Sequence, residues 1–315
     1  MRVIFLGTPD FAVPSLCRLC SANEVEVVGV ITQPDRPAGR GRQLTAPPVK
    51  KLALELGIPV YQPGRIKDNP EVLQWALQRE PEIMIVVAFG QILPLAFFNL
   101  PPLGTLNVHA SLLPKYRGAA PVIHAILNGE TVSGVTIMKL DEGMDTGDIL
   151  SQEEVAIPPD MTAGELEKLL AERGADLLLR TIHPYAEGRI TPQPQDHELA
   201  TYAPRVSTEQ ARINWMRPAT EIHNQVRAFN PRPGAFTTLR GESVKIWRTT
   251  VSGRELEHDQ PPGTIIELQP ELLVCCGGSP QLLSIQELQV ANRSSVSARE
   301  FINGMRLVVG ERFLQ

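Results

Sequence analysis

No stretch of this 315-residue sequence approaches the roughly 18 uninterrupted apolar residues of a membrane span, so none is expected. The N-terminal run MRVIFLG carries one basic residue and a short apolar segment ending at a turn. It is too short for the core of a signal peptide, and the expected location is the cytoplasm. Net positive charge is also lacking. The formal charge of -5 argues against a protein that coats nucleic acid without specificity, although it leaves room for a local basic patch. Cysteine is sparse: Cys17, Cys20, Cys275 and Cys276. Cys17 and Cys20 form a C-x-x-C, but the second pair is adjacent, which does not suit a zinc site. Arg18 and Leu19 stand between the first two thiols, within an expected helix, which does not suit a redox pair. The reading is of inert thiols, a reducing compartment and no metal. The first strand ends in GTPDFA rather than G-x-G-x-x-G, so the glycines that let a dinucleotide pyrophosphate approach are missing.

What is present has a regular order. At ~100–200 residues per domain the length suggests two domains. Short apolar strands alternate with helices through the first half. EIMIVVAFG, residues 82–90, is a nearly continuous apolar run, as in a strand covered on both faces. Such alternation predicts an α/β fold with a Rossmann-like, open, mainly parallel sheet. A long helix over TAGELEKLLAERGADLLLRTI follows. Residues 188–205 are rich in proline and polar groups and read as a linker. Beyond them come one short helix near 218–229 and five strand-like runs. These predict a small C-terminal OB-like β-barrel. The expected division is therefore 1–187, 188–205 and 206–315. Eleven of the twelve cations in the last part are arginine, a weak pointer to phosphate recognition.

Two polar clusters interrupt the first domain. In GTLNVHASLLPKYRGAAPV, Asn107 and His109 sit two apart on a strand and so share a face. They lie at its C-terminal end, where open α/β sheets place ligands. Pro114, Lys115, Arg117 and Gly118 then suit a tight, solvent-facing turn. The second cluster, DEGMDTGD (141–148), follows the next strand. A calcium loop is denied by Gly143 at the third position. One of its carboxylates is expected to reach His109, orient the ring and stabilise its charged form. From the residues alone Asp141, Asp145 and Asp148 are equal candidates. Amide, imidazole and carboxylate around one pocket suit acyl transfer to an amine: the amide donates to the oxyanion, the imidazole shuttles the proton, and the carboxylate assists. No Ser or Cys is placed for a covalent intermediate. A third segment, QPDRPAGRGRQLTAPPVKK, is a long connection without structural pattern. It carries Arg36, Arg40, Arg42, Lys50 and Lys51 against one acid, and is either a solvated loop or a phosphate-seeking finger.

NVHASLLPKYRGAAP followed by DEGMDTGDI resembles the active-site signature of the folate-dependent formyltransferases. The basic stretch RPAGRGRQL and the segment EIHNQVRAFNPRPGAF are similar to those of the members that act on transfer RNA. The resemblance runs through essentially the whole chain. It implies formyl transfer from 10-formyltetrahydrofolate to the α-amine of methionyl initiator tRNA, by a monomer. It singles out Asn107, His109 and Asp145 as catalytic. It places Phe89, Gly90, Gln91 and Ile92, with Ser111, Leu112, Leu113 and Pro114, along the folate site. It assigns the loop, with Arg36, Arg40, Arg42 and Lys50, and the C-terminal domain to tRNA. Arg232 departs from the family, where an aromatic residue is common.

Overall fold

The computed structural model describes residues 1–38, 43–67, 69–255 and 260–314. The chain divides into two compact units. The first holds residues 1–121, 132–156 and 167–203, and the second holds 122–131, 157–166 and 204–315.

The first unit is built on a seven-stranded sheet. Strand β1 (Arg2–Gly7) lies between β2 (Glu26–Ile31) and β6 (Ile83–Val87), parallel to both. Between them in sequence come β3 (Arg36–Ala38), β4 (Gln43–Thr45) and β5 (Val60–Tyr61). The sheet continues through β7 (Thr105–His109), β8 (Val132–Lys139) and β9 (Ile149–Ala156), in the order β5-β2-β1-β6-β7-β8-β9. The pairings are parallel up to β7, and β8 runs antiparallel to both of its neighbours, β7 and β9. The mainly parallel, Rossmann-like sheet expected from the sequence is thus present. Every residue of β6 and of β7 is buried, and β6 is apolar throughout, as a strand covered on both faces requires.

Helices α1 (Val13–Ser21), α2 (Pro48–Glu55), α3 (Pro70–Leu77) and α4 (Leu95–Phe98) fill the connections. The first three carry proline in their first turn, where its missing N–H costs nothing. Asn69 caps α3 by accepting from the N–H groups of Glu71 and Val72. The strand order turns back between β1 and β6, so the loops at their C-terminal ends frame the crevice where such sheets take ligands.

Two local expectations change. β3 and β4 pair antiparallel, so the basic connection has a hairpin in place of the expected patternless chain. Arg40 and Arg42 lie outside the described residues. The segment read as a linker is bonded into the first unit. Gln193 exchanges main-chain hydrogen bonds with Ile149, the Arg117 N–H donates to Thr201 O (2.9 Å), and the Ala203 N–H donates to Arg117 O (2.7 Å). These partners are far away in sequence, so a proline-rich composition gives no sign of them.

Helices α5 (Pro121–Leu127) and α6 (Ala163–Ala186) follow β7 and β9 in the chain. The second unit then forms α7 (Ala219–Ala228) and an antiparallel sheet. Its strands are β10 (Ala235–Leu239), β11 (Glu242–Glu255), β12 (Ile265–Glu267), β13 (Leu272–Cys275), β14 (Gln281–Val290), β15 (Val296–Ser297) and β16 (Phe313–Leu314). The order is β12-β13-β14-β11-β10-β16, with β15 against β14. A bridge between Thr264 and Arg312 brings the chain entering β16 beside the chain entering β12, so the sheet curls towards closure. Ile222 and Val226 of α7 pack with Val244, Ile246, Ile285 and Leu288 inside it. Helix α8 (Ala298–Met305) starts with a capping box between Ser297 and Glu300.

All four cysteines are free thiols. Burial pushes Cys20 up to about 11 and Cys276 up to about 12, so both stay protonated and unreactive near neutral pH.

His223 of α7 is buried in the second unit. Its Nε2–H donates to Pro159 O (3.0 Å), and its Nδ1 lies 3.0 Å from Thr249 Oγ1. Burial lowers its pKa and Arg227 adds to this; Asp160 and the hydrogen bonds pull the other way. The folded protein therefore favours the neutral ring more than the unfolded chain does. That contribution to stability is complete above the unfolded value of about 6.5 and is lost as pH falls below it. Replacing His223 by Gln should flatten the fall in unfolding free energy between pH 7 and pH 5, measured in denaturant titrations. Parallel curves for the two proteins would contradict this.

Candidate active site

Strand β7 pairs with β6, setting Asn107 beside Val86. The loops that leave the two strands, from Ala88 and from Ala110, are therefore neighbours. Asn107 is buried and its carboxamide makes no hydrogen bond among the described residues. An amide held on a rigid strand with its donors unoccupied is available to something that binds.

His109 lies two residues further on the same face. Its Nε2 is 3.0 Å from the carbonyl oxygen of Tyr116. A carbonyl only accepts, so Nε2 carries a proton and donates it. Tyr116 has φ +60°, a left-handed conformation uncommon for a residue with a Cβ. The other ring nitrogen, Nδ1, faces Asp145 Oδ2 at 3.7 Å. This is within reach of an ion pair but too long for a hydrogen bond. The carboxylate is therefore not what orients the ring, as the sequence suggested; the Tyr116 carbonyl does that.

The three aspartates of 141–148 have separate positions. Asp141 staples its own loop: Oδ1 accepts from the Gly143 N–H (3.0 Å) and from Thr146 Oγ1 (2.7 Å). Asp148 offers its main-chain carbonyl to Lys139 N–H (2.9 Å). Of the three, Asp145 is the one whose carboxylate faces His109. Its Oδ2 accepts from the Gly118 N–H at 2.8 Å, and its own backbone is left-handed, with φ +54°.

Arg117 is not in a solvent-facing turn, as the composition of its surroundings suggested. It is 2 % exposed, with its guanidinium on Gln195 and His197. Neither Arg117 nor Gln195 was identifiable as part of the site from sequence, because the bond between them spans 78 positions.

The residues singled out for folate fall into two groups. Phe89 is 2 % exposed, with its ring in the core beside Ile4 and Leu6. Its carbonyl accepts from Thr8 Oγ1 (3.1 Å) and Gln33 Nε2 (3.2 Å). Gln91 ties its loop to Ile66, and Ser111 Oγ donates to Lys115 O. Leu113 is buried, with its N–H on Thr136 and its carbonyl on Gln152. These residues are tied into the fold. Gly90 and Ile92 are exposed, Ile92 at 89 %, and Leu112 and Pro114 are half-buried. This second group leaves apolar surface and main chain accessible.

Among the basic residues, Lys50 forms an ion pair with Asp35 (2.8 Å), and Gln62 also donates to that carboxylate (2.8 Å). Its charge is matched within the chain. Arg36 is exposed and its guanidinium donates to Gln33 (3.0 Å). Among the described residues no group of three or more His, Cys, Asp or Glu side chains could hold a metal ion.

Gly147 closes the turn after Asp145, and a Cβ there would overlap the Lys139 carbonyl oxygen. Gly147→Ala should destabilise the protein by ~1–3 kcal/mol and lower turnover, since it displaces the loop that carries Asp145. Thermal unfolding and kcat check this; an unchanged Tm and kcat would contradict it.

Residues 1–182 match the family model described as formyl transferase, and residues 205–306 match that of the formyl transferase C-terminal domain. A methionyl-tRNA formyltransferase of Clostridium perfringens (strain SM101) is 47 % identical over 311 residues, 99 % of each chain. One from Synechococcus sp. (strain JA-3-3Ab) is 47 % identical over 322 residues, 99 % of this chain and 98 % of that one. An N-formyltransferase from Helicobacter canadensis, solved with folinic acid and dTDP-3-aminofucose, superposes with a TM-score of 0.66 at 22 % identity, over 90 % of this chain and 98 % of that one. The methionyl-tRNA formyltransferase of Clostridium thermocellum gives 0.55 at 18 % identity, over 81 % and 95 %. At such identities the solved structures share the fold. The chain belongs to the formyl transferase family over both of its parts, and it matches methionyl-tRNA formyltransferases along nearly its whole length.

Proposed function

We propose that this protein transfers a formyl group from 10-formyltetrahydrofolate to the α-amine of methionyl initiator tRNA. The observation that carries the reading is the set at the end of β7: the unoccupied amide of Asn107 beside a His109 whose Nδ1 faces Asp145. The full-length likeness to methionyl-tRNA formyltransferases supports the choice of acceptor.

The folate supplies an activated formyl group. Gly90, Ile92, Leu112 and Pro114 would hold its flat ring system, over walls made by Phe89, Gln91, Ser111 and Leu113. Asn107 donates from its carboxamide to the formyl oxygen, which gains negative charge as the amine attacks. A group aimed at developing charge acts on the transition state more than on the ground state. His109 acts through Nδ1, since Nε2 is occupied by Tyr116 O. A proton on Nδ1 hydrogen-bonds to the same oxygen, and passes to the leaving nitrogen of the folate as the bond between that nitrogen and the formyl carbon breaks. The attacking amine must lose a proton, and Asp145 accepts it directly or through water. The gap between Nδ1 and Oδ2 leaves both groups free to work on the reactants.

Residues 1–187, with the segment up to Ala203 bonded against them, carry this chemistry. Residues 206–315, joined through 188–205, take the tRNA together with the basic hairpin. Arg36 of the hairpin, and Arg40 and Arg42 in the stretch of sequence between its strands, are the candidates for phosphate contact. Lys50, already paired with Asp35, serves to brace the hairpin's base. A cytoplasmic, monomeric enzyme without a metal completes the proposal.

Incubation with labelled 10-formyltetrahydrofolate should formylate methionyl initiator tRNA well ahead of methionyl elongator tRNA and of small amines. Equal rates on a small amine would contradict the proposal. Asn107→Ala and His109→Ala should each lower kcat by ~10²–10³ while tRNA binding barely changes. A kcat within about threefold of wild type would remove that residue from the set.

Replacing Arg40 and Arg42 together by Ala should weaken tRNA binding. It should also flatten the slope of log affinity against log salt by roughly one to two units, with folate affinity unchanged. Superimposable salt series would exclude the hairpin from recognition.

A further inference from the structure

Gln195 fills every polar position of its side chain inside the first unit. Oε1 accepts from Arg117 Nε (3.1 Å) and Nη2 (2.7 Å). Nε2 donates to the carbonyl oxygens of Asp145 (2.9 Å) and Gly147 (2.7 Å). The direction of the amide is fixed, because a guanidinium only donates and carbonyls only accept. Gln195 is buried, and Arg117 is 2 % exposed. Arg117 Nη2 also donates to His197 Nδ1 (3.1 Å), so its side-chain acceptors are neutral.

The neighbours of Arg117 hold the two ionisable groups of the site. Tyr116 O accepts from His109 Nε2 (3.0 Å), and the Gly118 N–H donates to Asp145 Oδ2 (2.8 Å). Three consecutive residues therefore grip His109, Gln195 and Asp145 in turn. Gln195 closes the circuit by returning to the Asp145 main chain. That main chain needs holding: φ is +54° at Asp145, a conformation that persists where the surroundings over-determine it.

We propose that Gln195 is a positioning residue for catalysis. By binding the Asp145 and Gly147 carbonyls and the Arg117 guanidinium together, it fixes the turn at Asp145 and hence the separation of its carboxylate from His109. The inference rests on the reading of Asp145 as the partner of His109.

The substitutions Gln195→Met and Gln195→Glu separate its two ends. Met removes both and leaves a buried guanidinium short of an acceptor. Glu still accepts from Arg117 but sets an oxygen against two carbonyl oxygens, so it keeps the test open if the Met variant fails to fold. Gln193→Ala, whose exposed amide donates only to Thr191 O, is the local control. Steady-state formylation of methionyl initiator tRNA should show kcat lowered by ~10–100-fold in the Gln195 variants, as for a small misplacement of a working group. KM for both substrates should stay within about twofold, and the control should match wild type; a loss confined to KM would overturn the proposal.

The decisive step repeats Gln195→Glu in an Asp145→Asn background. If Gln195 acts through Asp145, the second substitution lowers kcat by less than about twofold further. Full multiplication of the two losses would overturn the proposal, as would folded Gln195 variants with wild-type kcat. Wild-type kcat in Asp145→Asn alone would overturn the reading of the site as well, and is recognised because it needs no Gln195 variant.

Discussion

One ring nitrogen of His109 is tied to the Tyr116 carbonyl, and the rest of the site is arranged around that bond. It decides which nitrogen remains for chemistry. It also requires Tyr116 to be left-handed, so that its carbonyl turns inward at the end of a short loop. The next two residues follow from the same turn. Arg117 is carried into the interior, and the Gly118 N–H is presented to Asp145. A buried arginine demands acceptors, and Gln195 and His197 come from the chain after α6 to supply them. A residue distant in sequence is thereby drawn into the fold by the need to satisfy one side chain.

The sheet contributes rigidity and address. His109 ends β7, which is paired on both sides, with β6 parallel and β8 antiparallel. Thr136 of β8 donates to Ser111 O (2.6 Å) and accepts from the Leu113 N–H (3.1 Å), so the loop after β7 is fixed to the neighbouring strand. A group used for transition-state stabilisation gains from being held before the reactants arrive. The loop after β6 is held through the Phe89 carbonyl by Thr8 and Gln33. The same principle serves both loops: polar side chains, Thr136 and Gln33 buried and Thr8 half-buried, fix main chain.

Much of this was legible in the sequence, for reasons that differ by residue. The strand ending in Asn107 and His109 was readable because an alternation of two puts both on one face. The apolar run of β6 announced a strand covered on both sides. β9 was not readable, since ILSQEEVA mixes polar and apolar residues on a strand that is only partly buried. Arg117 was misplaced because Pro, Lys, Arg and Gly together have the composition of an exposed turn. The choice of Asp145 over Asp141 and Asp148 is a matter of which carboxylate a turn delivers, and spacing along a loop does not encode it. Gln195 was hidden in a proline-rich stretch, its partners being 48 to 78 positions away.

The account holds that His109 is fixed by Tyr116 through Nε2 and works through Nδ1 beside Asp145. Nitrogen-15 NMR of the full-length protein labelled at histidine tests this directly, with His109→Gln used to assign the ring signals. The neutral imidazole of His109 should carry its proton on Nε2, with Nδ1 bare. A neutral ring protonated at Nδ1, with Nε2 bare, would contradict the account.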